Sequence, residues 1–284
     1  MSISETYKIF KSKLCSVYDE NEAEQITRLI FESIINITRS DILINPNNEI
    51  SSLDDNKLQQ CMEELLQHKP VQYVLGFCFF YKLLFKVNEN VLIPRPETEE
   101  LVSFIIDDLQ VQNNKKILDI GTGSGCIAIG IKKNVPSAII TSVDISESAL
   151  EVAQINANKN NTDVSFLCLD FLDHNKWNDL ETFDIIVSNP PYIPEREYES
   201  INNNVKLFEP NSALFVPDPK PLIFYEKIAE FSELKLSEKG RIFLEIHQNF
   251  GREVCELFNS YHYNTEIKKD IYENDRFVIA TRNH

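Results

Sequence analysis

From Lys115 onward, strand-length apolar runs alternate with amphipathic stretches, and that alternation constrains the fold more than any other feature. "KILDI", "AIITSVD", "VSFLCLD", "FDIIVSN" and "RIFLEI" are short and rich in β-branched residues. Helical patterns come between them: one opening near Ser124, then "SESALEVAQINANKN" and "PLIFYEKIAEFSELKL". Strands joined through helices pair in parallel, because the chain must cross over before it can lie beside itself again. The expected class is therefore α/β, a mostly parallel sheet with helices on both faces. The last apolar run, "RFVIAT", is expected to add an edge strand.

The chain before Lys115 reads differently. "NEAEQITRLIFESIIN" spaces Ala23, Ile26, Ile30, Ile34 and Ile37 by three and four, one apolar stripe on a helix. "SSLDDNKLQQCMEELLQ" opens with Ser51 and Ser52 as candidate N-caps and places Leu58, Cys61, Met62 and Leu65 on one face. Gly76 is the first glycine, and the aromatic stretch "FCFFYKLLFKVNENVLI" after it predicts a hairpin. "PRPETEELVSFIIDDLQ" then starts a helix, with Pro96 and the following acids suited to its first turn. The predicted division is a small helical N-terminal domain over 1–75, a β-hairpin linker over 76–93 and the α/β domain over 94–284.

Composition narrows the classes of function. The formal net charge of −16 argues against a large nucleic-acid footprint, which needs clustered Lys and Arg. The six cysteines lie at 15, 61, 78, 126, 168 and 255, without CxxC spacing, and the five histidines are dispersed, so no metal cluster is expected. The N-terminus has no apolar core for a signal peptide, and no apolar run approaches a membrane span. The expectation is a cytoplasmic protein, with no membrane partner and a monomer as the default state.

Three of only seven glycines sit in "DIGTGSG", between a strand and a helix. Glycines there let the backbone turn and approach a nucleotide-like ligand closely. The dinucleotide fingerprint needs glycine or alanine at position 126, where this chain has Cys126; the third glycine comes one residue early, at Gly125. The loop Gly121, Thr122, Gly123, Ser124, Gly125 thus fits a nicotinamide cofactor poorly. Asp144 ends the next strand, 23 residues after Gly121, where a carboxylate can accept from both ribose hydroxyls; its rival role is a helix cap. Asp119 is a candidate cofactor contact or a brace of the loop. Asp170 and Phe171 end "LCLDF", where Phe171 could also be an ordinary core aromatic.

"FDIIVS" runs straight into "NPPYIP", residues 189–194. A residue before proline is pushed out of the helical region, so Asn189 and Pro190 are both held extended. Neither Pro190 nor Pro191 carries an N–H, so the segment projects free carbonyls beyond a strand end. Such a projection suits transfer to a conjugated nitrogen, which is a poor nucleophile. Two acceptors, the Asn189 side-chain carbonyl and the Pro190 backbone carbonyl, can take its two N–H bonds and aim its lone pair. Tyr192 can press on the planar group. A lone Pro-Pro is more often a stiff turn; here it ends a strand in a chain that also has a cofactor loop.

These motifs resemble those of amino methyltransferases, and the chain as a whole resembles the release factor glutamine methyltransferases. The resemblance covers "PVQYVLG" at 70–76, "VLIPRPETEELV" at 91–102, "NPPYIP", "FEPNSAL" at 208–214 and the closing "NDRFVIATR". It implies a Rossmann-like seven-stranded methyltransferase sheet, S-adenosyl-L-methionine as cofactor and no metal. The implied partner is a peptide-chain release factor, methylated on the glutamine amide of its Gly-Gly-Gln loop. The loop from Gly121 to Gly125, Asp144, Asp170 and Phe171 would hold the cofactor, Asn189 to Tyr192 would grip the glutamine, and "IPRPETE" would lie near the methionine end. Relatives often carry glycine soon after the position of Glu245, where this chain has His247 and Gln248; Glu245 is accordingly assigned no role.

Other readings share parts of this pattern. An adenine amino methyltransferase would use the same Asn-Pro-Pro-Tyr chemistry on a flipped base, against which stand the charge and the lack of a basic domain. A ribosomal-protein glutamine methyltransferase is nearer and is not separated by these motifs. An NAD-dependent oxidoreductase is disfavoured by Cys126, and a non-catalytic cofactor-fold protein by the intact Asn-Pro-Pro-Tyr.

Overall fold

The structure, a computed structural model, describes residues 1–109 and 114–282. They form two units: Met1–Phe77 with Asn202–Phe208, and Cys78–Ile201 with Glu209 onward.

The first unit is helical: α1 (Ile3–Leu14), α2 (Glu20–Ile34), α3 (Arg39–Ile44), α4 (Ser52–Leu66) and α5 (Val71–Leu75). Capping boxes at Ser2/Glu5 and Thr38/Asp41 satisfy the first N–H groups of α1 and α3. Ser51 alone caps α4, with Ser52 as its first helical residue. Leu58, Cys61, Met62 and Leu65 are buried against Ile26, Ile30 and Phe31, as the spacing requires. The stripe on α2 stops sooner than the periodicity suggests. Asn36 turns left-handed, and the Ile37 N–H bonds back to the Phe31 carbonyl, so Ile37 packs on the core from beyond the helix.

Next comes a hairpin of β1 (Phe77–Phe80) and β2 (Leu83–Lys86), all but Phe77 in the second unit. Tyr81 and Lys82 both have positive φ, as a tight turn matched to strand twist needs. The Glu99 carboxylate accepts from the Tyr81 N–H at 2.8 Å and holds that turn without Gly or Asn. Then come α6 (Pro96–Leu109), β3 (Lys116–Ile120), α7 (Cys126–Asn134), β4 (Ile139–Asp144), α8 (Glu147–Asn160), β5 (Ser165–Cys168), β6 (Phe183–Ser188) and the two-residue β7 (Ile193–Pro194). The short helices α9 (Asn203–Lys206, in the first unit) and α10 (Asn211–Leu214) precede β8 (Phe215–Val216). The chain closes with α11 (Ile223–Lys235), β9 (Leu236–Glu245), α12 (Gly251–Ser260), β10 (Tyr263–Lys269) and β11 (Asp275–Arg282). Gln110, the end of the predicted α6 run, and the last two residues lie outside the described residues.

The main sheet has seven strands in the order β10-β11-β9-β6-β3-β4-β5, all running one way except β11, which is antiparallel to both β9 and β10. Leu118 and Ile120 of β3 share a buried cluster with Tyr225 and Ile228 of α11 and with Val254 and Phe258 of α12. The alternate residues of β3 point to the opposite face, and α7 packs there with α6 and α8. One expectation fails. "RFVIAT" is not an edge strand: β11 lies between β9 and β10. The edge on that side, "YNTEIKK", fully buries only its first residue and, apart from half-buried Ile267, is otherwise polar, so it shows no apolar run.

A buried asparagine joins the hairpin to the glycine loop. Asn156 of α8 accepts from the Lys86 N–H at 2.6 Å and donates to the carbonyls of Lys86 and Ser124 at 3.0 and 2.9 Å. Asn156→Ala would strip three backbone groups of their partner, at a cost of about 2 to 4 kcal/mol. Scanning calorimetry should show the melting transition of the sheet unit lowered by about 5 to 10 °C; an unchanged transition would mean the hairpin is held by other contacts.

Candidate functional site

The strand register gathers the chemistry into one row. Ile120 lies opposite Val143 on β4 and Ser188 on β6, and Ser188 lies opposite Leu244 on β9. The next residue of each strand therefore falls at the carboxyl edge in the order Asp144, Gly121, Asn189, Glu245. In open α/β sheets ligands bind at this edge.

A cavity of about 380 Å³ opens over the row, within the range of small-molecule sites. Gly121, Gly123, Asp144, Asp170, Phe171, Asn189 and Pro191 are among the residues that line it. Val91 and Leu92 from the segment after the hairpin, and Pro210 and Ser212 from "FEPNS", line it as well. Glu209 fastens these two walls together. Its carboxylate, 4% exposed as a residue, accepts from the Ile93 N–H at 3.1 Å and from Arg95 Nη2 at 2.5 Å. A buried charge needs such a partner, which explains why "IPRPE" and "FEP" occur together.

The loop is shaped from both sides. Gly121 and Gly123 have φ of +75° and +53°, and a Cβ on either would meet nothing within 4 Å, because the space above them is cavity. Gly125 serves packing instead: a Cβ there would lie 2.9 Å from Ile129 Cδ1 and 3.2 Å from Ala153 Cβ, so it lets α7 approach α8. Asp144 Oδ2 accepts from the Gly123 N–H at 2.8 Å and Oδ1 from the Ser146 N–H at 2.9 Å. Each oxygen keeps a lone pair for a further donor. The helix cap on α8 is Ser146, not Asp144.

Not every predicted residue lines the cavity. Asp119 is wholly buried; its Oδ2 accepts from Thr122 Oγ1 at 2.5 Å and Ser142 Oγ at 3.3 Å. Its Oδ1 has no partner, and burial pushes the carboxyl up to about 7. Asp119 thus braces the loop through Thr122, and it is the Ser124 carbonyl that Asn156 holds. Phe171 reaches the cavity but is 5% exposed; its ring packs on Trp177 and Phe231 at 5.5 and 5.2 Å. Asp170 Oδ1 accepts from the Leu172 N–H. Pro190 is buried, between the half-buried Asn189 and Pro191.

Glu245, to which the sequence reading gave no role, is 2% exposed and ends the row. Its Oε2 accepts from Thr98 Oγ1 at 2.7 Å and its Oε1 from the Tyr192 hydroxyl at 3.2 Å, and Asn189 Nδ2 donates to Thr98 Oγ1 at 3.2 Å. Burial pushes the Glu245 carboxyl up to about 7, against the pull of Thr98 and Arg276. Burial and Glu245 likewise raise the Tyr192 phenol. Tyr192 is therefore anchored by its hydroxyl, with the His247 ring edge-on at 6.1 Å. His247 in turn meets Glu197 Oε2 at 3.2 Å. An acid closing the apolar run "IFL" of β9 was the available signal for Glu245, since burial there demands partners.

The donor set fits the cofactor expected from the sequence: two open glycines, a ribose-ready carboxylate at Asp144 and an apolar wall at Leu169 and Phe171. Gly123→Asn tests that fit, because asparagine tolerates a left-handed backbone while its side chain would fill the space over the loop. Calorimetry should show S-adenosylhomocysteine bound at least about tenfold more weakly, about 1.4 kcal/mol, with an unchanged melting temperature. Unchanged affinity would place the ligand elsewhere.

Known proteins match the chain over most of its length. The family model described as "PrmC N-terminal domain" matches residues 6–76, and "Methyltransferase small domain" matches 99–213. The release factor glutamine methyltransferase of Flavobacterium psychrophilum is 44% identical over 273 residues, 95% of each chain. That of Bacteroides thetaiotaomicron is 36% identical, over 96% of this chain and 97% of its own. A methyltransferase from Pyrococcus furiosus shares the fold, with a TM-score of 0.52 at 16% identity over 82% of this chain and all of that one. Family and fold together imply use of S-adenosyl-L-methionine. With identity of this degree along nearly its whole length, the chain belongs to the release factor glutamine methyltransferase family.

Proposed function

We propose that this protein transfers a methyl group from S-adenosyl-L-methionine to the side-chain amide nitrogen of the glutamine in the Gly-Gly-Gln loop of peptide-chain release factors. The observation that carries the proposal is the row itself. Asn189 lies beside Gly121 in the sheet register and lines the same cavity. An acceptor for a substrate amide would thus stand beside the loop proposed to hold the cofactor. Relatives named for this activity span nearly the whole chain.

The bound cofactor supplies an electrophilic methyl group on a sulfonium, and the protein's part is placement. Gly121, Gly123 and Asp144 would hold the nucleoside end, and Asp170 and Phe171 would border its base. Thr122, Ser124, Gly125 and Asp119 keep the loop in shape from behind. Asn189 Oδ1 accepts no hydrogen bond among the described residues and would take one amide N–H; the Pro190 carbonyl would take the other. The nitrogen lone pair then points along the line of transfer. The carbon–nitrogen bond would form as the carbon–sulfur bond of the sulfonium breaks, leaving a neutral thioether, and the nitrogen would give up one proton to solvent. Pro191 stiffens the turn, and Tyr192, held by Glu245, backs it. The helical unit would serve as the substrate-recognition domain, and the hairpin as its linker. The protein would act as a monomer in the cytoplasm without nucleic acid; among the described residues no helix is long and apolar enough to cross a membrane.

Purified protein with labelled S-adenosylmethionine should methylate a release factor, and neither a large-subunit ribosomal protein nor an adenine oligonucleotide. Asn189→Ala should lower transfer by about 100-fold or more while leaving S-adenosylhomocysteine affinity within about threefold. Label appearing in the oligonucleotide or the ribosomal protein, and not in the release factor, would overturn the assignment.

A further inference from the structure

The network behind the row fixes more than the position of Asn189. An ionised carboxylate only accepts hydrogen bonds, so Glu245 takes its bonds from the hydroxyl protons of both Thr98 and Tyr192. Thr98 has one hydroxyl proton, and Glu245 uses it. Its oxygen can then only accept from Asn189, which must turn its NH2 toward Thr98. The side-chain carbonyl of Asn189 is left for the cavity that Asn189 lines.

We infer that Glu245 and Thr98 are positioning residues that set the direction of the Asn189 amide, so that an acceptor and not a donor faces the substrate amide. The inference rests on the proposed transfer to an amide nitrogen. It also explains why "RPETE" accompanies Asn-Pro-Pro-Tyr: the threonine of the first segment is the link between the asparagine of the second and the buried acid. Reversing the relay would present NH2 to the N–H bonds of the substrate, donor against donor.

The relay has a pH dependence of definite sign. The groups that face Glu245 are Thr98 and Glu97 from α6, Tyr192 from the turn, and Arg276 from β11; the Tyr225 hydroxyl of α11 donates to its backbone carbonyl at 3.1 Å. Arg276 favours the charged form, Glu97 opposes it, and burial brings the carboxyl to about 7. Below that pH a protonated Glu245 can donate to Thr98, which frees the Thr98 proton for Asn189 Oδ1 and lets the amide turn. Transfer therefore rises with pH to a plateau above about 7. Glu245→Gln mimics the low-pH state, since its amide can donate to Thr98.

The test compares wild type, Glu245→Gln, Thr98→Val and Thr98→Ser. With a release factor as acceptor, Glu245→Gln and Thr98→Val should lower kcat by about 100-fold, with S-adenosylhomocysteine affinity within about threefold and Thr98→Ser near wild type. The pH limb near 7 should vanish in Thr98→Val. A second readout needs no substrate. In protein labelled with ¹⁵N-asparagine, the Asn189 NH2 signals, identified by their loss in Asn189→Ala, should titrate near pH 7 in wild type and Thr98→Ser. They should shift to the low-pH position in Glu245→Gln. NH2 signals indifferent to pH and to Glu245→Gln, or a Thr98→Val enzyme as active as Thr98→Ser, would overturn the inference. A wild-type enzyme that leaves release factors unmodified while its NH2 signals titrate would overturn the substrate reading alone.

Discussion

The parallel pairing of β3 with β4 and β6 is the constraint on which the rest depends. Because Ile120 is level with both Val143 and Ser188, the residues that follow emerge side by side: Asp144, Gly121 and Asn189. The next pairing, Ser188 with Leu244, adds Glu245. A one-residue slip would turn each of these side chains to the other face. The ladder thus does the aligning that loops alone, with their greater conformational freedom, would do less well. Glycine at the second place leaves the cavity open; in the proposed reading the asparagine would offer an acceptor at the third, and the acid at the fourth would orient it.

Two buried carboxylates hold the surroundings in register with that row. Glu209 joins "IPRPE" to "FEP" through Arg95 and the Ile93 N–H, and so closes one wall of the cavity. Glu245 joins "RPETE" to Asn-Pro-Pro-Tyr through Thr98 and Tyr192. Each costs free energy to bury and is kept by its partners. Loss of one partner would leave a charge or a donor stranded, so segments far apart in the sequence must be retained together.

Much of this was legible from local pattern. The βα alternation announced the parallel sheet, the early third glycine argued against a dinucleotide, and the prolines marked a rigid projection. Where the sequence misled, the cause was contact at long range. The Tyr81–Lys82 turn carries no turn residue because Glu99 holds it from α6. The edge strand β10 has no apolar run because one face is open to water. β11 looked peripheral because its length and apolarity say nothing about which neighbour it finds. Glu245 drew no role because an acid's value there appears only once Thr98 and Tyr192, 147 and 53 residues away in sequence, are brought to it.

The central claim is that the row aims one conjugated amide nitrogen at a cofactor seated over Gly121. Fragment mass spectrometry of a release factor after incubation with S-adenosylmethionine and this protein tests it most directly, because it locates the methyl group to a single residue and, by fragment, to its side-chain amide. The account predicts one methyl group, on the glutamine side chain of the Gly-Gly-Gln loop and nowhere else. Methylation of a lysine, a carboxylate or another glutamine, with the loop glutamine unmodified, would contradict it.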